Sequence, residues 1–314
     1  MIIWVLFVFV VLLMIIVDLG VFNREAHVIS FKEASIWTSI WVSVALLFSI
    51  AVHQIYMRGL VDNPSGLTPS EAVVNYLTGY LIELSLSVDN IFVIAVIFAT
   101  FKIPMKYQHR VLFWGIVGAI VFRALMILFG IVLINQFSWM IYVFGVFLLF
   151  TAYKMYTTTE EESFNPRESF VFRQIRKIIP ITQEMEGERF FVRRKHIRAA
   201  TPLFVALIVI EVTDVLFALD SIPAILAITN DPFLVFSSNI LAILGLRSMY
   251  FFLSNMLDRF SFLEYSLIAI LSFVGIKMLL THLWHIPQWF SLLFILFALV
   301  AGVVGSLMQK KVEA

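Results

Sequence analysis

The chain has 314 residues, of which 61% are hydrophobic and 14% charged, and its mean hydropathy is +0.97. Soluble domains carry about 25% charged residues, so this composition indicates an integral membrane protein. The net charge of +1 gives no sign of a nucleic-acid partner, and the absence of cysteine excludes disulfides, thiolate metal sites and cysteine nucleophiles.

The hydrophobic residues fall into stretches of roughly 20, the length that an α-helix needs to span the bilayer. Nine transmembrane helices are predicted, at about 2–22, 35–56, 73–100, 111–134, 138–156, 201–229, 232–256, 260–281 and 287–308. The chain accordingly divides into two peripheral N-terminal helices (1–72), a first helical unit (73–156), a polar connection (157–200), a second helical unit (201–281), and a last helix with the C-terminus (282–314).

The positions of Lys and Arg between the helices predict how the chain lies in the membrane. If the N-terminus is outside, almost all basic residues of the connections lie on the inner side, and only Arg58 lies in an outer connection. Basic residues accumulate in cytoplasmic connections. We therefore predict a multi-pass protein of the cell (inner or plasma) membrane, with the N-terminus outside and both the 157–200 connection and the C-terminus in the cytoplasm.

The two helical units resemble each other in sequence, in the same order. The matching segments are IELSLSVDNI (82–91) with TDVLFALDSI (213–222), FRALMIL (122–128) with LRSMYFF (246–252), and FTAYKM (150–155) with FVGIKM (273–278). Because each unit has three helices, the two units would insert with opposite orientations, as in many secondary transporters. The predicted fold is an all-α polytopic membrane protein with about nine transmembrane helices and an inverted 3+3 helix repeat.

Five carboxylates lie inside the predicted transmembrane helices: Glu83, Asp89, Glu211, Asp214 and Asp220. A carboxylate at the bilayer centre costs at least about 2.5–3.5 kcal/mol, so such residues usually mark an ion or proton path. The repeat and the orientation predict an outer layer that pairs Glu83 with Asp220. They predict an inner layer that pairs Asp89 with Asp214, with Glu211 nearby.

Neutral oxygen ligands accompany the acids, since Asn90 and Ser221 occupy equivalent positions of the repeat. Pro223 cannot donate a hydrogen bond to the carbonyl of Leu219, which predicts unwound backbone beside Asp220. The alternative is that the two layers serve successive positions of the ion. Carboxylate, amide and hydroxyl oxygens suit a hard divalent cation such as Mg²⁺, Ca²⁺ or Mn²⁺. Clustered carboxylates in a low-dielectric medium also bind protons, so metal and protons would compete for this site.

Four basic residues inside the predicted helices could balance the charge of the acids when no metal is bound. They are Arg123, Lys154, Arg247 and Lys277, and the repeat places Arg123 opposite Arg247 and Lys154 opposite Lys277. Purely structural ion pairs are the alternative interpretation. Five acids on two repeat-related helices make that alternative the weaker one.

The acidic segments TGYLIELSLSVDNIFV and EVTDVLFALDSIPAI resemble the paired acidic motifs of the TerC/Alx family of membrane proteins. The similarity continues through IYVFGVFLLFTAYKMY, FFVRRKH, SSNILAILGLRSMYF and GIKMLL, and it is nearest to the Alx-type branch. The resemblance implies a transporter of the LysE-like superfamily that exports manganese. The acidic motif positions of the family map onto Glu83, Asp89, Asn90, Glu211, Asp214, Asp220 and Ser221.

We therefore expect a secondary transporter that exports Mn²⁺ from the cytoplasm by exchange with protons at a midplane carboxylate site. A Ca²⁺/proton exchanger of the same fold and a membrane metal sensor that does not move the ion stay open as alternatives. No HExxH or GxSxG motif indicates an enzyme. The expected partners are the bilayer, a divalent ion and protons, with Mn²⁺ as substrate rather than as a permanent cofactor. The sequence leaves the oligomeric state open.

Overall fold

Helices make up most of the chain in the computed structural model, which describes residues 2–20, 29–137, 139–157, 170–182, 187–194, 197–254, 262–280, 283–284 and 286–312. The helices are α1 (Ile2–Gly20), α2 (Phe31–Met57), α3 (Pro69–Thr100), α4 (Met105–Gln136), α5 (Met140–Thr157), α6 (Phe170–Ile178), α7 (Pro202–Leu226), α8 (Pro232–Ser254), α9 (Leu263–Leu280) and α10 (Gln288–Val312). The strands β1 (Phe191–Arg194) and β2 (Ile197–Ala200) form an antiparallel hairpin within the predicted polar connection. This hairpin is the one departure from the predicted all-α class in the described chain.

Seven helices of the described chain are long and apolar enough to cross a membrane. They are Phe31–Met57, Pro69–Thr100, Met105–Ile134, Met140–Thr157, Pro202–Leu226, Pro232–Ser254 and Gln288–Ser306, and a shorter apolar helix covers Ile2–Val17. A helix occurs at each of the nine predicted positions. The multi-pass helical fold is thus confirmed, whereas the count of nine spans and their orientation stay predictions.

Helices α2, α3 and α4 begin four to six residues before the predicted hydrophobic stretches, and at α3 the cause is a polar first turn. At α3, Thr68 accepts a hydrogen bond from the amide of Glu71 (3.3 Å), and the Glu71 carboxylate accepts one from the amide of Thr68 (2.8 Å). This reciprocal cap, followed by Pro69 at the first helical position, fixes the start of the helix. The helix therefore begins at Pro69 rather than at the predicted residue 73.

Corresponding helices of the two units make corresponding contacts with the other unit. Helix α3 packs against α8, α7 packs against α4, and α3 also packs against α7. Helices α5 and α9 cross closely, since an added Cβ at Gly145 would lie 3.1 Å from the carbonyl oxygen of Gly275. Small residues allow such close approach between membrane helices. Helix α8 is buried along nearly its whole length, so it lies at the centre of the bundle.

Helix α7 continues unbroken from Pro202 to Leu226, with Pro223 inside its last turn. The predicted unwinding beside Asp220 is therefore wrong. Proline still deprives the carbonyl of Leu219 of its helical donor. However, Pro223 and the residues around it are buried against neighbouring helices, and this packing keeps the segment helical.

The short helix α6 and the β-hairpin are attached to the start of α7. Helix α6 packs on α7, and the ring of Phe172 contacts that of Phe101 with centroids 5.8 Å apart. Thr201, which joins β2 to α7, donates hydrogen bonds from its amide to the carbonyl of Phe190 (2.9 Å) and from its hydroxyl to that of Arg189 (2.8 Å). The described part of the predicted polar connection is thus folded onto the bundle.

Candidate functional site

A buried arginine of α4, Arg123, connects two of the predicted acids. Its side chain is 2% exposed. Its guanidinium donates to both oxygens of Asp214, from Nε at 3.2 Å and from Nη2 at 2.8 Å, and it forms an ion pair with Glu83 through Nη1. The same Nη1 lies 3.4 Å from the hydroxyl of Ser221. This two-bond geometry is the strong form of an arginine–carboxylate pair, and it links α3, α4 and α7.

Two asparagines complete the arrangement around the acids. Asn90 of α3 donates from Nδ2 to Asp214 at 2.8 Å, and Asn239 of α8 donates from Nδ2 to Glu83 at 3.0 Å. The carbonyl oxygen of Asn239 also accepts a hydrogen bond from Arg123 at 3.3 Å. Each carboxylate therefore has one charged and one amide donor.

These residues, which we call the polar cluster, are Glu83, Asn90, Arg123, Asp214, Ser221 and Asn239. All six are buried, the most exposed being Asp214 at 5%. With both carboxylates ionised, they and the one guanidinium have one negative charge in excess. Removal of one partner from a buried ion pair costs about 3–5 kcal/mol, so the members of the cluster depend strongly on one another.

Helix α3 also carries four buried oxygens that have no hydrogen-bond partner among the described residues: Asn75 Oδ1, Ser85 Oγ, Ser87 Oγ and Asn90 Oδ1. Buried polar atoms without partners are rare in folded proteins, where water or an ion usually satisfies them. The carbonyl oxygen of Asn90 belongs to the polar cluster itself. The cluster therefore contains one amide oxygen without a hydrogen-bond donor in addition to its two carboxylates. Hard cations prefer oxygen ligands of both kinds.

Asp220 makes a different contact from the one that the predicted layers require. Its carboxylate accepts a hydrogen bond from Thr151 of α5 at 2.9 Å, and the charge of Lys154, one turn further along α5, also acts on it. The arginine bridge joins Glu83 to Asp214, which are members of different predicted layers. The predicted pairing of Glu83 with Asp220 is not the contact found in the structure.

Glu211 lies at the interface of α7 and α4, one turn before Asp214. Its carboxylate rests directly on Gly118, where an added Cβ would overlap both carboxylate oxygens. The oxygen Oε2 is buried and has no hydrogen-bond partner in the described part of the chain. No described hydrogen bond joins Glu211 to the polar cluster, and its part in the site stays a prediction.

The other basic candidates occupy different surroundings from Arg123. Arg247 is buried in α8, and Lys154 is exposed on α5. Lys277 is buried and donates to the carbonyl oxygen of Gln288 and to the hydroxyl of Ser291, both at 2.9 Å. Of the four, Arg123 is the one with described ion pairs to the acids, and the charge-balancing role stays a prediction for all four.

The side chain of Asp89 lies outside the described part of the structure. Among the described side chains, no group of three or more His, Cys, Asp or Glu lies close enough to hold a metal ion. The ligands that the polar cluster offers are therefore mixed: Glu83 and Asp214 with the amides and the hydroxyl around them.

Two residues of the site were not foreseen from the sequence. Asn239 ends a run of three polar residues, 237–239, inside an otherwise apolar helix, and such a run in a buried helix is a usable signal. Gly118 gives no such signal, because its importance comes only from the approach of Glu211 on another helix.

Long apolar helices around a buried, charged cluster define a multi-pass membrane protein with an ionisable centre between its helices. The chain belongs to the integral membrane protein TerC family, whose family model matches residues 68–314. A protein of Escherichia coli (strain K12), whose name includes "membrane-bound redox modulator Alx", is 46% identical over 290 residues, which cover 92% of this chain and 89% of the relative.

Other relatives match over almost the whole chain. An uncharacterized membrane protein of Myxococcus xanthus is 47% identical over 308 residues, covering 98% of this chain and 92% of the relative. An uncharacterized membrane protein of Rickettsia bellii is 42% identical over 309 residues, covering 98% of both. No solved structure matches the chain. The predicted membership of the TerC family and the likeness to its Alx-type members are confirmed.

Proposed function

We propose that this protein is a secondary transporter that exports a hard divalent cation, Mn²⁺, from the cytoplasm of the cell in exchange for protons. The observation that carries the proposal is the polar cluster, in which Glu83 and Asp214 are buried between apolar helices and held by Arg123. Intramembrane acids of this kind face ion or proton paths.

Charge balance supports exchange at the cluster. With Arg123 in contact and both carboxylates ionised, one negative charge is in excess. A divalent cation that takes the place of the guanidinium would neutralise both carboxylates, as two protons would, and the displaced guanidinium would then need another counter-charge. Because isolated charges are costly inside the bilayer, the acids favour one of these occupants at each stage of a cycle. Competition between metal and protons for the same oxygens couples their movements.

The hydrogen bonds of the acids cross between the two helical units. Arg123 and Asn90 of the first unit contact Asp214 of the second, and Asn239 of the second unit contacts Glu83 of the first. A rocking motion of one unit against the other would therefore break and remake the contacts of the site. Such motion around a fixed site is the usual basis of alternating access.

The packing of the helices also supports an inverted repeat in a bundle of nine spans. A two-fold axis relating α3 to α7, α4 to α8 and α5 to α9 would convert the α3–α8 contact into the α7–α4 contact. It would leave the α3–α7 and α5–α9 contacts in place, and all four contacts occur. On this proposal the first end of α3 and the connection after α7 lie outside.

Ca²⁺ is the alternative substrate, because the same oxygens serve both ions. A non-transporting metal sensor is the alternative class, and the attachment of α6 and the hairpin to α7 favours it, since the acids of α7 could then act on a cytoplasmic surface. The name of the Escherichia coli relative includes a redox role. If this chain had such a role, it would have to perform it without thiols, because it contains no cysteine.

Ion flux into proteoliposomes under an imposed pH gradient tests the proposal. We expect Mn²⁺ flux in the wild type, at least about tenfold lower flux in Glu83→Gln and Asp214→Asn, and unchanged flux in Asp62→Asn, which alters an exposed acid. Parallel runs with Ca²⁺ decide between the two substrates. If neither buried substitution changes the Mn²⁺ flux, the polar cluster takes no part in transport. If the protein binds metal but shows no flux, the sensor is favoured.

A further inference from the structure

A second polar feature lies away from the cluster, at the end of the bundle where α3 begins. It is a cavity of about 240 Å³ between the start of α3, the connection from α7 to α8, and the facing ends of α9 and α10. We call it the outer cavity. Its polar lining includes Ser65, Asn75, Thr229, Asn230, Lys277 and Gln288.

We propose that the outer cavity is the release vestibule through which the exported cation leaves the polar cluster. The proposal rests on the proposed function and adds to it a location and a set of residues.

The size of the cavity fits a hydrated divalent ion. Mg²⁺ and similar small cations keep a near-octahedral shell of waters and lose it reluctantly. Six waters at about 30 Å³ each occupy roughly 180 Å³. The outer cavity of about 240 Å³ has room for such an ion, which could therefore leave with its water shell rebuilt.

Helix α3 runs from the cavity to the cluster. Asn75 and Glu83 are eight residues apart, a rise of roughly 12 Å. Between them, Gly79 has no side chain, and an added Cβ there would lie 2.9 Å from the hydroxyl oxygen of Ser238. Ser238 directly precedes Asn239, which binds Glu83. Gly79 thus lies between the cavity and the nearest acid, against the hydroxyl of Ser238 and the side chain of Ile225, whose Cγ2 lies 3.5 Å from the same added Cβ.

Among the residues that line the cavity, Asn75 gives the strongest indication of a ligand. It is 1% exposed, and its carbonyl oxygen Oδ1 is buried with no hydrogen-bond partner among the described residues. An amide oxygen without a partner in a polar cavity is satisfied by water or by a cation.

The charge of the lining suits release rather than tight binding. None of the described residues that line the cavity is an Asp or a Glu, and Lys277 contributes a positive charge. A divalent ion would therefore be held only by neutral oxygens and repelled by the ammonium group. Sites on a conduction path must bind weakly enough for the ion to leave.

The wall of the cavity is connected to the helix that carries Asp214. Gln288 donates from Nε2 to the carbonyl oxygen of Ile228 at 2.9 Å and accepts a hydrogen bond from Lys277. Ile228 lies just beyond the end of α7. Movement of α7 would therefore shift this wall and change the width of the vestibule.

The absence of native cysteine makes a direct test possible. Single-cysteine variants Asn75→Cys and Thr229→Cys, and the control Asp62→Cys, are reconstituted in proteoliposomes that are sorted by orientation. Each is treated from the outer side with a membrane-impermeant, positively charged methanethiosulfonate. We expect all three to be modified, and Mn²⁺ flux to fall at least about tenfold on modification at positions 75 and 229 but not at 62, because only the first two lie in the proposed path.

The outcomes separate the two proposals. If both cavity cysteines are modified and flux continues, or if neither reacts from the outer side, the vestibule is excluded while the transporter stands. If the unmodified wild type moves no divalent ion, the transporter is excluded and the vestibule with it. Thr229→Cys keeps the test valid should Asn75→Cys fail to fold.

Discussion

Arg123 is the described cation that pairs with both Glu83 and Asp214, and its side chain is almost fully buried. Arginine does this through a rigid, planar fork, and lysine carries the same charge without the fork. The energetic role of charge and the role of geometry can therefore be separated at this one position.

We expect Arg123→Met to lower the free energy of unfolding by about 3–5 kcal/mol, because it leaves Glu83 and Asp214 buried without their cation. Arg123→Lys keeps the charge and should lose less. Thermal unfolding in detergent, with and without Mn²⁺, measures both effects. Added Mn²⁺ should restore more stability to Arg123→Met than to the wild type, and equal gains in the two proteins would argue against metal binding at these acids.

Gly118 offers a second test at the scale of single residues. Gly118→Ala should force the Glu211 carboxylate from its place, since the new Cβ would overlap both oxygens. Because the carboxylate is the far end of a flexible side chain, we expect a cost at the low end of the roughly 1–3 kcal/mol that overpacking causes. Gly115→Ala, one turn earlier on α4, meets only Ile210 at 3.6 Å and should be neutral or stabilising.

The double variant Gly118→Ala with Glu211→Ala completes the cycle. If the clash with Glu211 is the cause, removal of its carboxylate should recover the stability lost in Gly118→Ala. Melting temperatures of the four proteins measure this coupling. Additive losses would mean that Gly118 matters for another reason.

At the scale of elements, the connection between α7 and α8 contains a buried acid that stabilises the start of α8. Asp231 is 0% exposed and accepts hydrogen bonds from the amides of Phe233 (3.0 Å) and Leu234 (3.2 Å). Burial raises the pKa of this carboxyl above its ordinary value of 3.8, although the two amides and Tyr56 oppose the shift. The folded protein therefore holds this proton more firmly than the unfolded chain does.

The sign of the pH dependence follows from this raised pKa. The stabilisation from Asp231 is complete below pH 3.8 and is lost as the pH rises through the folded pKa. Asp231→Asn keeps the cap and cannot titrate, so its melting temperature should fall less than that of the wild type as the pH rises from about 4 to 8. Parallel pH curves for the two proteins would contradict the raised pKa.

At the scale of the whole molecule, the orientation of the chain decides which end of the bundle is the exit. The proposed topology places the 57–72 connection outside and α6 inside. In intact cells, a membrane-impermeant thiol reagent should label Asp62→Cys, which is exposed in the first of these. It should label Ile178→Cys, 78% exposed in α6, only after the cells are opened. Labelling of both in intact cells would overturn the topology.

The sequence predicted the positions of the helices and the acids well, for a physical reason. A polar backbone in lipid must satisfy its hydrogen bonds within each segment, so apolar stretches of sufficient length become helices. The polar first turns extended α3 beyond its apolar stretch, and the capping box of Thr68 and Glu71 explains that difference. The unwinding predicted at Pro223 was wrong because the sequence does not show how neighbouring helices pack around this residue.

The sequence by itself determined the membrane class, the TerC family, the two similar helical units and the candidate ligands, because these depend on hydrophobicity and on motifs along the chain. Only the tertiary structure decided which groups meet. It joined Glu83 to Asp214 through Arg123, turned Asp220 toward Thr151, and brought in Asn239. The rotation and crossing of packed helices fix these contacts, and they depend on side-chain packing between segments far apart in the chain.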